Sequence, residues 1–170
     1  PVDIQTEIQN KFQPVPEDIK KNNLNGILVA SPANPTGSMV DKETLKNLIN
    51  TAHENNVSFI SDEIYHGIQY ENNPTTALEI TDKCYVINSF SKYFSMTGWR
   101  IGWMIVPEDH VRQVERLSQN LFICPPHVSQ LTALSAMDAN IELNENVNVY
   151  KKNREILLSL IHISEPTRPC

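Results

Sequence analysis

The run Ser89-Phe90-Ser91-Lys92-Tyr93-Phe94-Ser95-Met96-Thr97-Gly98-Trp99-Arg100 sets a lysine between hydroxyl residues, eight positions before an arginine. Lysine amines attack carbonyls to form Schiff bases, and a guanidinium fork suits phosphate-like anions. Lys92 and Arg100, helped by the Ser89 hydroxyl, therefore fit one small molecule that carries both a carbonyl and an anionic group. A lysine taken alone is usually a solvated surface residue. Here Tyr93, Phe94, Met96 and Trp99 follow it and give it a partly apolar setting, while Gly98 and Gly102 allow close backbone approach.

Two earlier segments add to this set. Ser31-Pro32-Ala33-Asn34-Pro35-Thr36-Gly37 is rich in turn residues and reads equally well as a plain loop. Its functional reading makes Asn34, held between prolines, a side-chain donor to a ligand oxygen. In Ser61-Asp62-Glu63-Ile64-Tyr65, Asp62 reads either as a helix N-cap or as a ligand-facing carboxylate. A cap leaves Tyr65 unexplained. A pyridine ring needs a carboxylate at its nitrogen to stay protonated, and a phenol beside its ring hydroxyl helps further. Pyridoxal phosphate combines that ring with a carbonyl and a phosphate, so it is the cofactor these residues suit.

The elements that position these residues alternate in type. Gly26–Ala30 reads as a buried strand, followed by a helix with Asp41 as N-cap and Leu45, Leu48, Ile49 and Ala52 on one face. Val57–Ile60 and Cys84–Asn88 read as further strands, and Ile101–Val106 as a fourth. Val111, Val114, Leu117, Ser118 and Leu121 share a helical face. After Pro125-Pro126, Val128, Leu131 and Leu134 begin a new helix. Val147, Tyr150, Arg154 and Leu157 mark a last one, expected to stop there. This alternation predicts an α/β domain with a largely parallel sheet. Ligands of such sheets bind beyond the strand carboxyl ends, where Asn34, Asp62 and Lys92 would converge.

Composition narrows the function classes. A formal net charge of -6 with no basic cluster argues against nucleic acid, and Lys20-Lys21 and Lys151-Lys152 read as solvated helix faces. No apolar run reaches membrane-spanning length, and no signal peptide opens the chain. Cys84, Cys124 and Cys170 form no CxxC pair, which points to a cytoplasmic location, with Cys84 and Cys124 as small buried apolar residues. His53, His66, His110 and His127 lack metal-ligand spacing, so no metal is expected, and His66 reads as a satisfied polar residue. The chain opens at Pro1, without an initiator methionine. Leu158–Arg168 matches a translated library-preparation adapter, which predicts a non-native tail over residues 158–170.

Asn34-Pro35-Thr36-Gly37, Asp62-Glu63-Ile64-Tyr65 and Ser89-x-Ser91-Lys92 with Arg100 together resemble the class I/II aminotransferases of pyridoxal-phosphate fold type I. The resemblance spans Phe12 to Leu157. It implies part of the large, cofactor-binding domain over residues 1–157, incomplete at both ends: a three-layer α/β fold with a mostly parallel mixed sheet, Ile101–Val106 being antiparallel. It implies a cis bond at Asn34-Pro35. By position, Lys92 is the Schiff-base lysine and proton carrier, and Asp62 pairs with the pyridine nitrogen. Asn34 and Tyr65 meet the ring hydroxyl, Ser89 and Arg100 bind the phosphate, and Ser91 is a further phosphate neighbour.

The implied reaction moves an amino group between an amino acid and a 2-oxo acid, with aspartate-type or broad specificity, in a homodimer. The family's phosphate loop and ring-stacking aromatic would precede Pro1, and its substrate-carboxylate arginine would follow Leu157. The chain alone is therefore expected to be inactive. A β-lyase or synthase on the same fold shares these cofactor residues, and a non-catalytic α/β binding module would make Lys92 incidental.

Overall fold

The computed structural model describes residues 2–164, so Cys170 and the Glu165–Arg168 part of the adapter-like tail lie outside it. Four strands form its spine: β1 (Gly26–Ala30), β2 (Ser58–Asp62), β3 (Tyr85–Ser89) and β4 (Gly102–Ile105), in the spatial order β1-β2-β3-β4. The first three run parallel and β4 is antiparallel to β3, as expected for a mostly parallel mixed sheet. Ala30 lies opposite Asp62, and Asp62 opposite Ile87. The carboxyl ends of three strands therefore share one rim.

Five helices accompany the sheet: α1 (Pro16–Lys21), α2 (Lys42–Glu54), α3 (Val111–Leu121), α4 (His127–Ala136) and α5 (Asn140–Ser164). Asp41 caps α2 as predicted, its Oδ1 accepting the Thr44 N–H at 2.9 Å. Leu45, Leu48, Ile49 and Ala52 are buried against Ile27, Val29, Phe59 and Val86. Burying a side chain such as Phe59 contributes roughly 2–3 kcal/mol, so this face anchors the sheet. On the opposite sheet face Leu28 and Met104 stay 58% and 45% exposed, the side a third layer would cover.

A second, smaller cluster secures the segment after β3. Phe90, Met96 and Ala133 are buried there, with Phe94, Ile101 and Trp103 packed around them. The Phe90 ring lies 4.6 Å from Phe94 and 5.0 Å from Trp103, centroid to centroid.

The helix expected after Pro125-Pro126 is α4, whose Val128, Leu131 and Leu134 are exposed while Ser129 and Ala133 are buried. Small side chains let the α4 backbone approach closely, and Ser129 Oγ donates to Trp99 O at 2.9 Å. Leu117 and Leu121 of α3 are likewise exposed. The last helix does not stop at Leu157 but runs to Ser164, because nothing from Leu158 to Ser164 breaks a helix. Cys84 is buried, but Cys124, in the turn before Pro125, is exposed. No helix among the described residues is long and apolar enough to cross a membrane.

Candidate active site

The rim formed by the strand carboxyl ends gathers most of the predicted residues. The loop from Ser31 to Val40 carries Asn34 and is pinned at both ends. Gln13, 6% exposed, puts its Nε2 within 3.2 Å of Ala30 O and 3.1 Å of Ser38 O. Ser31 Oγ accepts the Val40 N–H at 3.0 Å. Both Ser31-Pro32 and Asn34-Pro35 are cis, the second as expected.

From this loop Asn34 Nδ2 donates to Tyr65 Oη at 3.3 Å. Because the phenol oxygen accepts here, its own proton stays available to another acceptor. Lys92 Nζ sits 5.4 Å from the centroid of the Tyr65 ring, within cation–π reach. Residues 34, 65 and 92 thus meet in space although 58 positions separate the first and last of them (92 minus 34).

Asp62 closes β2 on the same rim, and its two carboxylate oxygens differ. Oδ1 accepts the Ile64 N–H at 3.2 Å, so the capping reading is realised in a short turn. Oδ2 hydrogen-bonds nothing among the described residues. No hydrogen bond or ion pair joins Asp62 to Lys92 or Tyr65; its place opposite Ala30 and Ile87 sets it on the same rim.

Ser89, the last residue of β3, forms a local cluster. Its Oγ lies 3.0 Å from Ser91 Oγ and 3.3 Å from Ile101 O, and accepts the Ser91 N–H at 3.0 Å. Arg100 adopts a left-handed conformation at φ 51°, unusual for a side-chain-bearing residue, and its exposed guanidinium donates from Nη1 to Thr97 O at 2.9 Å. The remaining guanidinium donors make no hydrogen bond among the described residues. Arg100 is tied to the serines through its neighbour, since Ile101 O also accepts the Phe90 N–H.

The two predicted glycines separate. A Cβ on Gly102 would stand 2.7 Å from Asn88 O, so the β3–β4 pairing requires that glycine. Gly98 has nothing within 4 Å, so close approach does not explain it. Gly67, not singled out in the sequence, is the other crowded position. Its φ is +96°, and a Cβ there would meet the Tyr93 ring at 2.6 Å.

Two further residues under the rim were also missed. Glu63, only 3% exposed, continues the buried alternation of Phe59 and Ser61, and that period-two pattern could have revealed it. Gln13 left no such signal, because it lies in irregular chain. His66 is the satisfied polar residue expected, its Nε2 3.0 Å from Ser31 O. Beyond Asn34 and Tyr65 opens a cavity of about 580 Å³, also lined by Lys11, Tyr70, Glu71 and Arg154. Arg154 pairs with Glu71 at 3.4 Å and lies over the Tyr70 ring, joining α5 to this wall. Among the described residues no group of three or more His, Cys, Asp or Glu could hold a metal ion.

Comparison with known proteins finds a family model, relatives and solved structures that match the chain. The family model described as aminotransferase class I and II matches residues 1–165, beyond the Phe12–Leu157 span of the sequence resemblance. The valine–pyruvate aminotransferase of Mycobacterium tuberculosis is 42% identical over 163 residues, covering 92% of this chain and 42% of that protein. A crystal structure from Silicibacter pomeroyi, of a protein assigned as an aminotransferase, superposes with a TM-score of 0.93. Its identity is 58%, over 99% of this chain and 45% of that one. The aspartate aminotransferase of Thermus thermophilus, solved with maleate, gives a TM-score of 0.84 at 28% identity, over 93% and 44% of the two chains. The chain thus spans less than half the length of these relatives. With the family match running over almost all of its length, the chain belongs to the class I and II aminotransferases.

Proposed function

We propose that the protein carrying this chain is a pyridoxal-phosphate-dependent aminotransferase, moving an amino group between an amino acid and a 2-oxo acid. The observation that carries the reading is the meeting of Lys92, Tyr65 and Asn34 at the rim that Asp62 and Ser89 complete. The donor set fits the cofactor. Asp62 Oδ2 is available to a ring nitrogen, and the Tyr65 proton and Asn34 amide to a ring hydroxyl. Ser89, Ser91 and Arg100 suit a phosphate.

When bound, pyridoxal phosphate supplies an aldehyde carbon and a protonated ring that withdraws electrons. This chain's residues do the rest. Lys92 Nζ would hold the cofactor's carbonyl carbon and, as a free amine, would carry the proton taken from the substrate Cα. Asp62 would face the ring nitrogen, and Tyr65 and Asn34 would fix the ring's angle.

Substrate choice is read as aspartate-type or broad, and the protein as a cytoplasmic homodimer. Exposed Leu121, Phe122, Ile123 and Val128 support an apolar contact face on α3 and α4. Residues 1–157 are read as part of the cofactor-binding domain and 158–170 as non-native sequence, which resequencing the source gene tests. The 170-residue chain alone is expected to be inactive; turnover by it that Lys92→Ala abolishes would contradict this.

Full-length protein incubated with amino acids and 2-oxoglutarate tests the main reading. Formation of the matching 2-oxo acid and glutamate, lost in Lys92→Ala, is expected. Ammonia with pyruvate instead would assign a β-lyase, and no cofactor uptake would favour a binding module.

A further inference from the structure

Beneath the candidate site lies a polar chain that the proposed reaction does not use. Glu63 is 3% exposed, and its Oε1 accepts the Ala77 N–H at 2.8 Å and the Ser61 hydroxyl at 3.0 Å. Its Oε2 faces His66 Nδ1 at 3.5 Å, and the other ring nitrogen lies 3.0 Å from Ser31 O. A carbonyl oxygen only accepts, so His66 Nε2 is the donor in this contact. Ser31 in turn donates its N–H to Asp62 O at 3.1 Å.

The placement of this chain gives it meaning. Tyr65 sits between Glu63 and His66 in sequence, and Ser31 opens the loop that carries Asn34. One part-buried connection therefore ties the turn holding Tyr65 to the loop holding Asn34, whose side chains meet 3.3 Å apart on the rim above. A polar contact of this kind is a weak source of stability, because an apolar pair of similar volume serves as well. Fixing the angle between two polar side chains is a task that apolar packing performs less well.

We propose that Glu63 and His66 are positioning residues that set Tyr65 and Asn34 jointly toward the ring hydroxyl of the bound cofactor. This rests on the cofactor reading above.

The test is a double-mutant cycle on cofactor affinity, read by absorbance titration of the full-length apoprotein with pyridoxal phosphate. His66→Phe removes both ring contacts while keeping a ring; Glu63→Gln keeps an acceptor for Ala77 and serves the same cycle if His66→Phe does not fold. Either variant is expected to weaken binding about tenfold, the scale of one net hydrogen bond. In an Asn34→Ala/Tyr65→Phe background the same substitution is expected to change affinity less than about twofold, because its targets are gone. Unchanged affinity in the single variant, or a full additional loss in that background, overturns the proposal and leaves the cofactor reading standing. No saturable binding by the unsubstituted protein overturns both.

Discussion

Gly67 and Cys84 show how local geometry sets the behaviour of single residues. At Gly67 any side chain faces both a positive φ of +96° and the Tyr93 ring. Gly67→Ala is predicted to cost about 1–3 kcal/mol in urea unfolding and to displace the ring next to Lys92. For Cys84, burial first, and then the nearby Glu63 and Asp82 charges, push the thiol up to about 11 from 9.0. The thiol is therefore predicted to resist alkylation at pH 8 while exposed Cys124 reacts, as peptide mapping would reveal. The sign for stability follows. The neutral thiol favours the fold fully below pH 9.0, and that contribution is lost as pH rises toward about 11. Gly67 did not stand out in the sequence, and Cys84 was legible there only as a small buried residue, because both effects come from neighbours that only the fold supplies.

At the scale of elements, the periods of the sequence were a good guide wherever one side of an element is buried. The four strands fall within two residues of their expected ends, and the Asp41 cap and the buried face of α2 are as read. Asp41→Ala is predicted to cost about 1 kcal/mol, measured as a lower urea midpoint. In α4 the large apolar residues are not the buried ones: Ala133 packs into the cluster of Phe90 and Met96, and Ser129 is also buried. The candidate site divides in the same way. Asn34, Tyr65 and Lys92 were legible because each follows a strand. Glu63 and Gln13 act through contacts with distant segments, which no local pattern encodes.

For the whole molecule, the uncovered faces set the terms. Leu121, Phe122 and Ile123, three consecutive apolar residues, are 68%, 60% and 77% exposed. Full-length protein is predicted to run as a dimer in light scattering, and a Phe122→Glu/Ile123→Glu variant as a monomer; an unshifted dimer would assign that face to the protein's own remaining chain. The central claim, that Lys92 is the covalent anchor of the cofactor, has a more direct test. Full-length protein is incubated with pyridoxal phosphate, reduced with borohydride, digested and mapped by mass spectrometry. The account predicts a phosphopyridoxyl group on Lys92, absent from Lys92→Ala; an unmodified Lys92, or an adduct spread over surface lysines such as Lys20 and Lys151, would contradict it.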